Sequence, residues 1–225
     1  MQKKSIFFHF SAFSFDFIYM KPLKPLFVTK LAFAALAVIT VFSSCKSIPK
    51  EPQTKTVILS RKLTGKGILT AEQLAAFFLE NNKDEDAAHI QEFAQLYIDE
   101  AAAENINSDI AFAQMCHETG FLRFGGLVQP QWHNYCGLGA ISEEQPGCIF
   151  ETEQLGVRAH IQHIQAYATT EDVSLNNELV DPRYSWVHKT KYAVTVGDFA
   201  RSWAADPEYA CKLEKMLQRM SIIRL

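Results

Sequence analysis

Gln114-Met115-Cys116-His117-Glu118-Thr119-Gly120 places a lone carboxylate at the end of an apolar helix. Counting back, Ser108 reads as the N-cap, and Ile110, Phe112, Ala113, Met115 and Cys116 make the helix apolar on most of its circumference. Gly120 then stops it. Glu118 is thereby expected in the last turn, where the helix macrodipole is negative and the surroundings are apolar. Both effects disfavour the ionised carboxylate and raise its pKa. A glutamic acid that keeps its proton near neutral pH has the property a general acid needs. The competing reading, of equal standing on position alone, is a glutamate fraying into solvent at a helix end.

The chain ahead of this helix indicates export. Residues 31–42 form an apolar run preceded by Lys21, Lys24 and Lys30 and followed by Ser43-Ser44-Cys45. A basic start, a short apolar stretch and small residues before a cut describe a secretory signal, too short to span a membrane. Ser43-Ser44-Cys45 resembles the bacterial lipobox, whose cysteine is lipidated and becomes the mature N-terminus, with Phe42 standing where that pattern usually has Leu. The 44 residues before Cys45 are too many for one signal, whereas Met20-Lys21-Pro22 opens one of ordinary length. Met20 is therefore the expected start; the alternative is a hydrophobic extension over residues 1–19.

The chain has 22 Lys and Arg against 25 Asp and Glu. Setting aside Lys3, Lys4, Lys21, Lys24, Lys30 and Asp16 leaves 17 basic against 24 acidic residues from position 46 onward, a net charge of −7. Such a domain has no electrostatic attraction to nucleic acid, and no cluster of Lys and Arg supplies one. The balance suits a neutral sugar or glycan better than an anionic polymer. Four cysteines follow Cys45, and in an exported protein an even number permits disulfides. Cys136 and Cys148 bracket a loop containing Gly and Pro and are expected to close it by a disulfide. Cys116 and Cys211 fall on expected helices, where free thiols are ordinary.

Residues 46–67, with Pro49, Pro52, Gly65 and Gly67 and little periodicity, read as a tether. Residues 68–225 then suit one domain with its own core. Thr70 and Gln73 form a capping box for a helix through about Leu79. A second helix follows Asp86, with Ile90, Phe93, Tyr97 and Ala101 at helical spacing, and Asn105-Ile106-Asn107 breaks it before the Glu118 helix. Gly137, Gly139, Pro146 and Gly147 punctuate residues 133–151 as a small hairpin or irregular lobe. Thr152 caps a helix through about Ala168, and Asp206 with Pro207 starts the last one. The pattern is α+β and predominantly helical: a helical body with a small β lobe after the Glu118 helix.

Other chemistry is thinner. His117-Glu118 lacks the second histidine of H-E-x-x-H, since position 121 is Phe. His160 and His163 share a helix face without a third ligand at natural spacing, so neither metal nor cofactor is expected. No Ser or Cys sits in a nucleophile elbow. Trp132, Tyr135, Tyr184, Trp186, Tyr192 and Trp203 are candidates to stack on sugars, or core and rim residues.

Ala113-Gln114-Met115-Cys116-His117-Glu118-Thr119-Gly120 resembles the "hETG" helix of bacterial peptidoglycan endo-β-N-acetylglucosaminidases, glycoside hydrolase family 73. Asn134-Tyr135-Cys136-Gly137-Leu138-Gly139 is similar to that family's Asn-aromatic-x-Gly step. Arg158-Ala159-His160-Ile161-Gln162-His163 with Tyr167 resembles its next helix. Asp181-Pro182-Arg183-Tyr184 and the stretch from Trp203 to Ala210 resemble its closing segments. The matched stretches stand in order, and the resemblance covers about residues 70 to 220, nearly the whole domain.

The resemblance implies a lysozyme-like fold, with a cleft between helical body and β lobe, and hydrolysis of the bond following N-acetylglucosamine in peptidoglycan. It implies Glu118 as general acid and Asn134, Tyr135 and Tyr209 along the sugar cleft. Gln114 and Gly137 lie in the same matched segments and join the expected substrate-binding set. Tyr209 is expected across the cleft from the acid, orienting the substrate acetamido group or the attacking water. For a second carboxylate Glu143, Glu144, Glu151 and Glu153 compete, with Glu151 the one chosen; alternatively the substrate's acetamido group is the nucleophile. The expected partners are peptidoglycan strands and, through a lipid on Cys45, a membrane of the bacterial envelope, the protein itself being a monomer. The alternatives to an active glycosidase are an inactive glycan-binding lipoprotein and a purely structural envelope protein.

Overall fold

Two three-residue strands bring the ends of the domain together. In the computed structural model, which describes residues 54–224, β1 (Thr54–Thr56) pairs antiparallel with β2 (Ile222–Arg224), Thr54 opposite Arg224. Seven α-helices lie between them: α1 (Ala71–Asn81), α2 (Ala87–Ala103), α3 (Ser108–Glu118), α4 (Glu153–Ala168), α5 (Tyr184–Thr190), α6 (Val196–Trp203) and α7 (Tyr209–Met220). The fold is predominantly helical α+β. Cys45, Met20 and the signal region lie outside the described residues.

Local chemistry sets the helix starts. Thr70 accepts from the Gln73 amide while the Gln73 side chain accepts from the Thr70 amide, the reciprocal capping box that opens α1. Asp86 caps α2 and Thr152 caps α4, each accepting from the third amide of its helix. Thr195 and Asp198 form a second capping box that opens α6. The cap of α3 is Asn107, one residue before Ser108, because the Asn107 carboxamide accepts from the Asp109 amide at 3.1 Å. The last helix also starts later than its Asp-Pro signal: Asp206 accepts from the Glu208 amide in a turn, and regular helix begins at Tyr209.

Helix α3 is the centre of the body. Every residue from Ser108 to Cys116 is buried, so it has no solvent face. Its Phe112 meets Tyr97 of α2 and Phe78 of α1 edge-on, with ring centroids 5.6 and 6.4 Å apart. Glu100 of α2 and Arg158 of α4 join their helices through two 3.0 Å hydrogen bonds. Burial pushes the Glu100 carboxyl up, but bonds from Arg158, Gln154 and Asn177 bring it below its ordinary value.

Two expectations are corrected. Residues 54–67 are packed into the domain: Leu59 and Leu63 are buried in the core, and the Asn107 amide donates to Leu63 O at 2.8 Å. A few apolar side chains at irregular spacing docked this segment, and Gly67 lets it approach α3, since a Cβ there would lie 2.2 Å from Ser108 Oγ. The lobe over residues 133–151 is the irregular alternative, with no strand. Its loop is closed by Asn134, whose Nδ2 donates to Leu138 O and Cys148 O, both at 3.0 Å, and by the Cys148 amide on Leu138 O at 2.8 Å. Cys136 and Cys148 are free thiols, so these bonds do what the expected disulfide was to do. A close contact fixes the lobe on α4: a Cβ at Gly156 would lie 1.9 Å from His133 O.

Candidate active site

Glu118 ends α3 with Thr119 as its C-cap, and Trp203 at the end of α6 and Tyr209 at the start of α7 converge on it. The Trp203 indole Nε1 donates to Glu118 Oε1 at 3.0 Å, and the Tyr209 hydroxyl donates to the same oxygen. With two donors on Oε1, a proton carried by the carboxyl belongs on Oε2. Burial raises the Glu118 pKa above the ordinary carboxyl value, and the hydrogen bonds from Tyr209 and Trp203 oppose it without reversing it. The apolar setting read from the sequence thus produces the expected direction.

Behind Tyr209 runs a buried chain whose polarity the donors and acceptors dictate. Tyr209 gives its one proton to Glu118, so its oxygen accepts from Gln114 Nε2, at 3.0 Å. Gln114 Oε1 then faces His160 Nε2 at 3.0 Å, which must carry the imidazole proton. His160 Nδ1 is left to accept from the Tyr97 hydroxyl, again at 3.0 Å. Burial pushes the His160 pKa down to about 3, so the ring is neutral and keeps this tautomer across the working pH range. The donor order Tyr97, His160, Gln114, Tyr209, Glu118 holds the tyrosine hydroxyl on the acid.

Glu118 opens onto a cavity of about 210 Å³. One wall is Phe124, Gly126, Leu127 and Val128; the other is Asn134, Gly137 and Ala140 of the irregular lobe. The first wall follows directly from the end of α3. Phe121, Leu122 and Phe124 have φ of +56° to +60°, left-handed conformations that cost on the order of 1–3 kcal/mol each. Tertiary bonds hold that turn: Asn82 Nδ2 donates to Phe121 O at 2.9 Å, and Arg123 Nη2 donates to Asn81 O at 2.8 Å.

The expected site residues separate into groups. Glu118, Asn134 and Gly137 line one cavity, Gly137 at φ +66°. The Asn134 carboxamide is committed to closing its own loop. Tyr209 touches Glu118, on the same side as Trp203, so its proton is not offered across the cleft. Gln114 is fully buried behind Tyr209 and positions it. Tyr135, expected to line the sugar cleft, is buried with its ring 4.9 Å edge-on to Phe93, and its hydroxyl is directed to Glu153. That burial and the nearby Glu153 carboxylate raise its pKa.

Glu118 is the one carboxylate lining this cavity. Glu143, Glu144 and Glu151 are exposed, Glu151 on the stretch just before α4. Glu153 pairs with His89 Nε2 at 3.0 Å. Two residues emerge that the sequence patterns did not assign. His160, read as half of a histidine pair, is the buried hinge of the donor chain, while His163 bonds Asp181 at 2.7 Å. Trp203, read as a sugar-stacking candidate, holds the acid. Their common signal is a polar aromatic bonded to a residue of α3, which local spacing does not reveal.

The chain is 36% identical over 191 residues to a protein of Borreliella burgdorferi (strain B31) described as uncharacterized, across 82% of this chain and 92% of the relative. No solved structure matches the chain significantly. The family model described as mannosyl-glycoprotein endo-beta-N-acetylglucosaminidase matches residues 94–222, from the middle of α2 to β2, and takes in every element around Glu118. The chain belongs to this glucosaminidase family and is a glycoside hydrolase of the endo-β-N-acetylglucosaminidase type.

Proposed function

We propose that the protein hydrolyses the N-acetylglucosaminyl bonds of peptidoglycan, with Glu118 protonating the leaving glycosidic oxygen. The observation that carries the reading is the pair of donors on Glu118 Oε1. They fix the carboxyl so that Oε2 carries the proton at the cavity, and burial keeps that proton on to higher pH than an ordinary carboxyl. As the glycosidic oxygen takes the proton, the carboxylate that forms is met by Tyr209 and Trp203 already in place. Because Glu118 is the cavity's one carboxylate, the substrate's own acetamido group is the proposed nucleophile on the opposite face of the sugar. That route ends with retained anomeric configuration.

Muropeptide analysis tests this. Purified sacculi treated with the protein and then reduced should yield N-acetylglucosaminitol ends, and early products should be the β anomer by NMR. Reduced muramic acid ends would place the cut at the other bond, and α anomers would remove the acetamido route.

The proposed location is the bacterial envelope, with Cys45 lipidated and translation starting at Met20, and the protein acting as a monomer. One acyl chain binds membranes only marginally, so firm anchoring takes more than one. Mass spectrometry of the membrane-extracted protein should show an acylated N-terminal Cys45; any other mature N-terminus refutes the anchor.

A further inference from the structure

A second cavity, of about 330 Å³, adjoins the one at Glu118, and Gly137 and Ala140 line both. Trp203 connects them chemically: its indole N–H holds Glu118 while the residue forms a wall of the second cavity. The opposite wall comes from α5 and its flanks. Arg183 Cζ lies 5.1 Å and Lys191 Nζ 5.8 Å from the centroid of the half-exposed Trp186 ring. Both cations lie within cation–π range of the one indole ring, and both side chains line the cavity.

Neither cation has an ion pair among the described residues. The acid nearest in sequence is spent elsewhere: Asp181 is buried, accepting from His163 Nδ1 at 2.7 Å and from the Arg183 backbone amide at 2.8 Å. The Arg183 charge reaches into the cavity, where it works against the burial that raises the Tyr167 hydroxyl, another wall residue. In a domain with seven more acidic than basic residues, two uncompensated cations beside the catalytic cavity are a local inversion of charge. Arg183 and Lys191 line one cavity, so a carboxylate entering it finds a guanidinium and an ammonium to pair with.

We infer that the Arg183–Trp186–Lys191 cavity is a carboxylate subsite, taking an acidic substituent carried by the glycan on one side of the cleaved bond. This rests on the glycosidase reading and deepens it: the enzyme selects acid-substituted glycan over a neutral N-acetylglucosamine polymer.

Calorimetric titration of the Glu118→Gln chain, which holds ligand without turnover, tests it with two probes. One is a soluble disaccharide-peptide fragment of peptidoglycan; the other is a neutral N-acetylglucosamine oligomer. Adding Arg183→Gln and Lys191→Gln should weaken binding of the acidic fragment at least about tenfold. The same changes should alter oligomer binding less than about twofold, which also reports that the fold persists. Methyl esterification of the fragment should erase the difference between the two proteins. Equal loss for both probes, no loss for either, or no binding of the acidic fragment to the parent chain overturns the subsite. Failure of the wild-type chain to release sugar from sacculi sinks the glycosidase reading instead, whatever the binding difference.

Discussion

Tyr209→Phe removes one oxygen and leaves the ring packing, so its effects isolate the hydroxyl. Two consequences follow, of different kinds. The first is structural. Gln114 Nε2 loses its acceptor in a fully buried setting, and an unsatisfied buried donor costs about 1–3 kcal/mol. For a domain of this size, melting should fall by roughly 2–4 °C per kcal/mol, so a shift of several degrees is expected. The second is electrostatic. The Tyr209 bond is the largest influence holding the Glu118 pKa down against burial. Without it the acid stays protonated to higher pH, and the basic limb of the kcat/KM profile should move upward. Turnover should nevertheless fall at every pH, because Oε1 keeps one donor where it had two and Oε2 is no longer held in one orientation. The assay is a pH series of reducing-end release from sacculi, run beside thermal melts. Unchanged turnover with an unmoved basic limb would refute the donor chain, and a loss of stability without any catalytic change would reduce Tyr209 to packing.

Glu118→Gln should raise the melting temperature at neutral pH, because a carboxyl with a raised folded pKa destabilises the fold where it is ionised. That advantage should shrink as pH falls through the folded pKa and be gone below the unfolded value, which a pH series of melts would check. His160→Ala leaves Gln114 Oε1 and the Tyr97 hydroxyl unpaired and should cost on the order of 3 kcal/mol by urea denaturation. Because burial holds His160 near 3 in the folded chain, against an ordinary 6.5, the wild type should lose stability as pH drops from about 6.5 towards 3. The variant should lose that part of the slope, and an unchanged slope would contradict a neutral buried imidazole. Gly156→Ala, normally favourable in a helix, should destabilise by about 1–3 kcal/mol, since its Cβ would meet His133 O at 1.9 Å. Equal or greater stability by urea denaturation would show that the lobe does not pack on α4 this closely.

Much of the helical body was legible because its signals are local. The Thr70–Gln73 capping box, the Asp86 and Thr152 caps and the Ile90–Phe93–Tyr97–Ala101 spacing act within one or two turns, and each helix starts where they place it. The environment of Glu118 was also legible, since a helix apolar on most of its circumference and stopped just before Gly120 announces burial. What escaped depends on contacts distant in sequence. Leu59 and Leu63 find the core from a stretch with no period, and β1 pairs with residues at the other end of the domain. The roles of Trp203 and His160 arise only when α3, α4, α6 and α7 meet. Tyr135 was misplaced for a similar reason: an aromatic in a matched motif serves a cleft or a core equally well, and Phe93 with Glu153 draws it inward.

The central claim is that Glu118 is the acid, and release of reducing ends from purified sacculi by the wild type and Glu118→Gln measures it most directly. Both chains should show the same circular dichroism. A general acid contributes typically about a hundredfold to ten-thousandfold, so the variant should fall to no more than about one per cent of wild-type turnover. A folded Glu118→Gln protein that cleaves at a rate near the wild type would contradict the account.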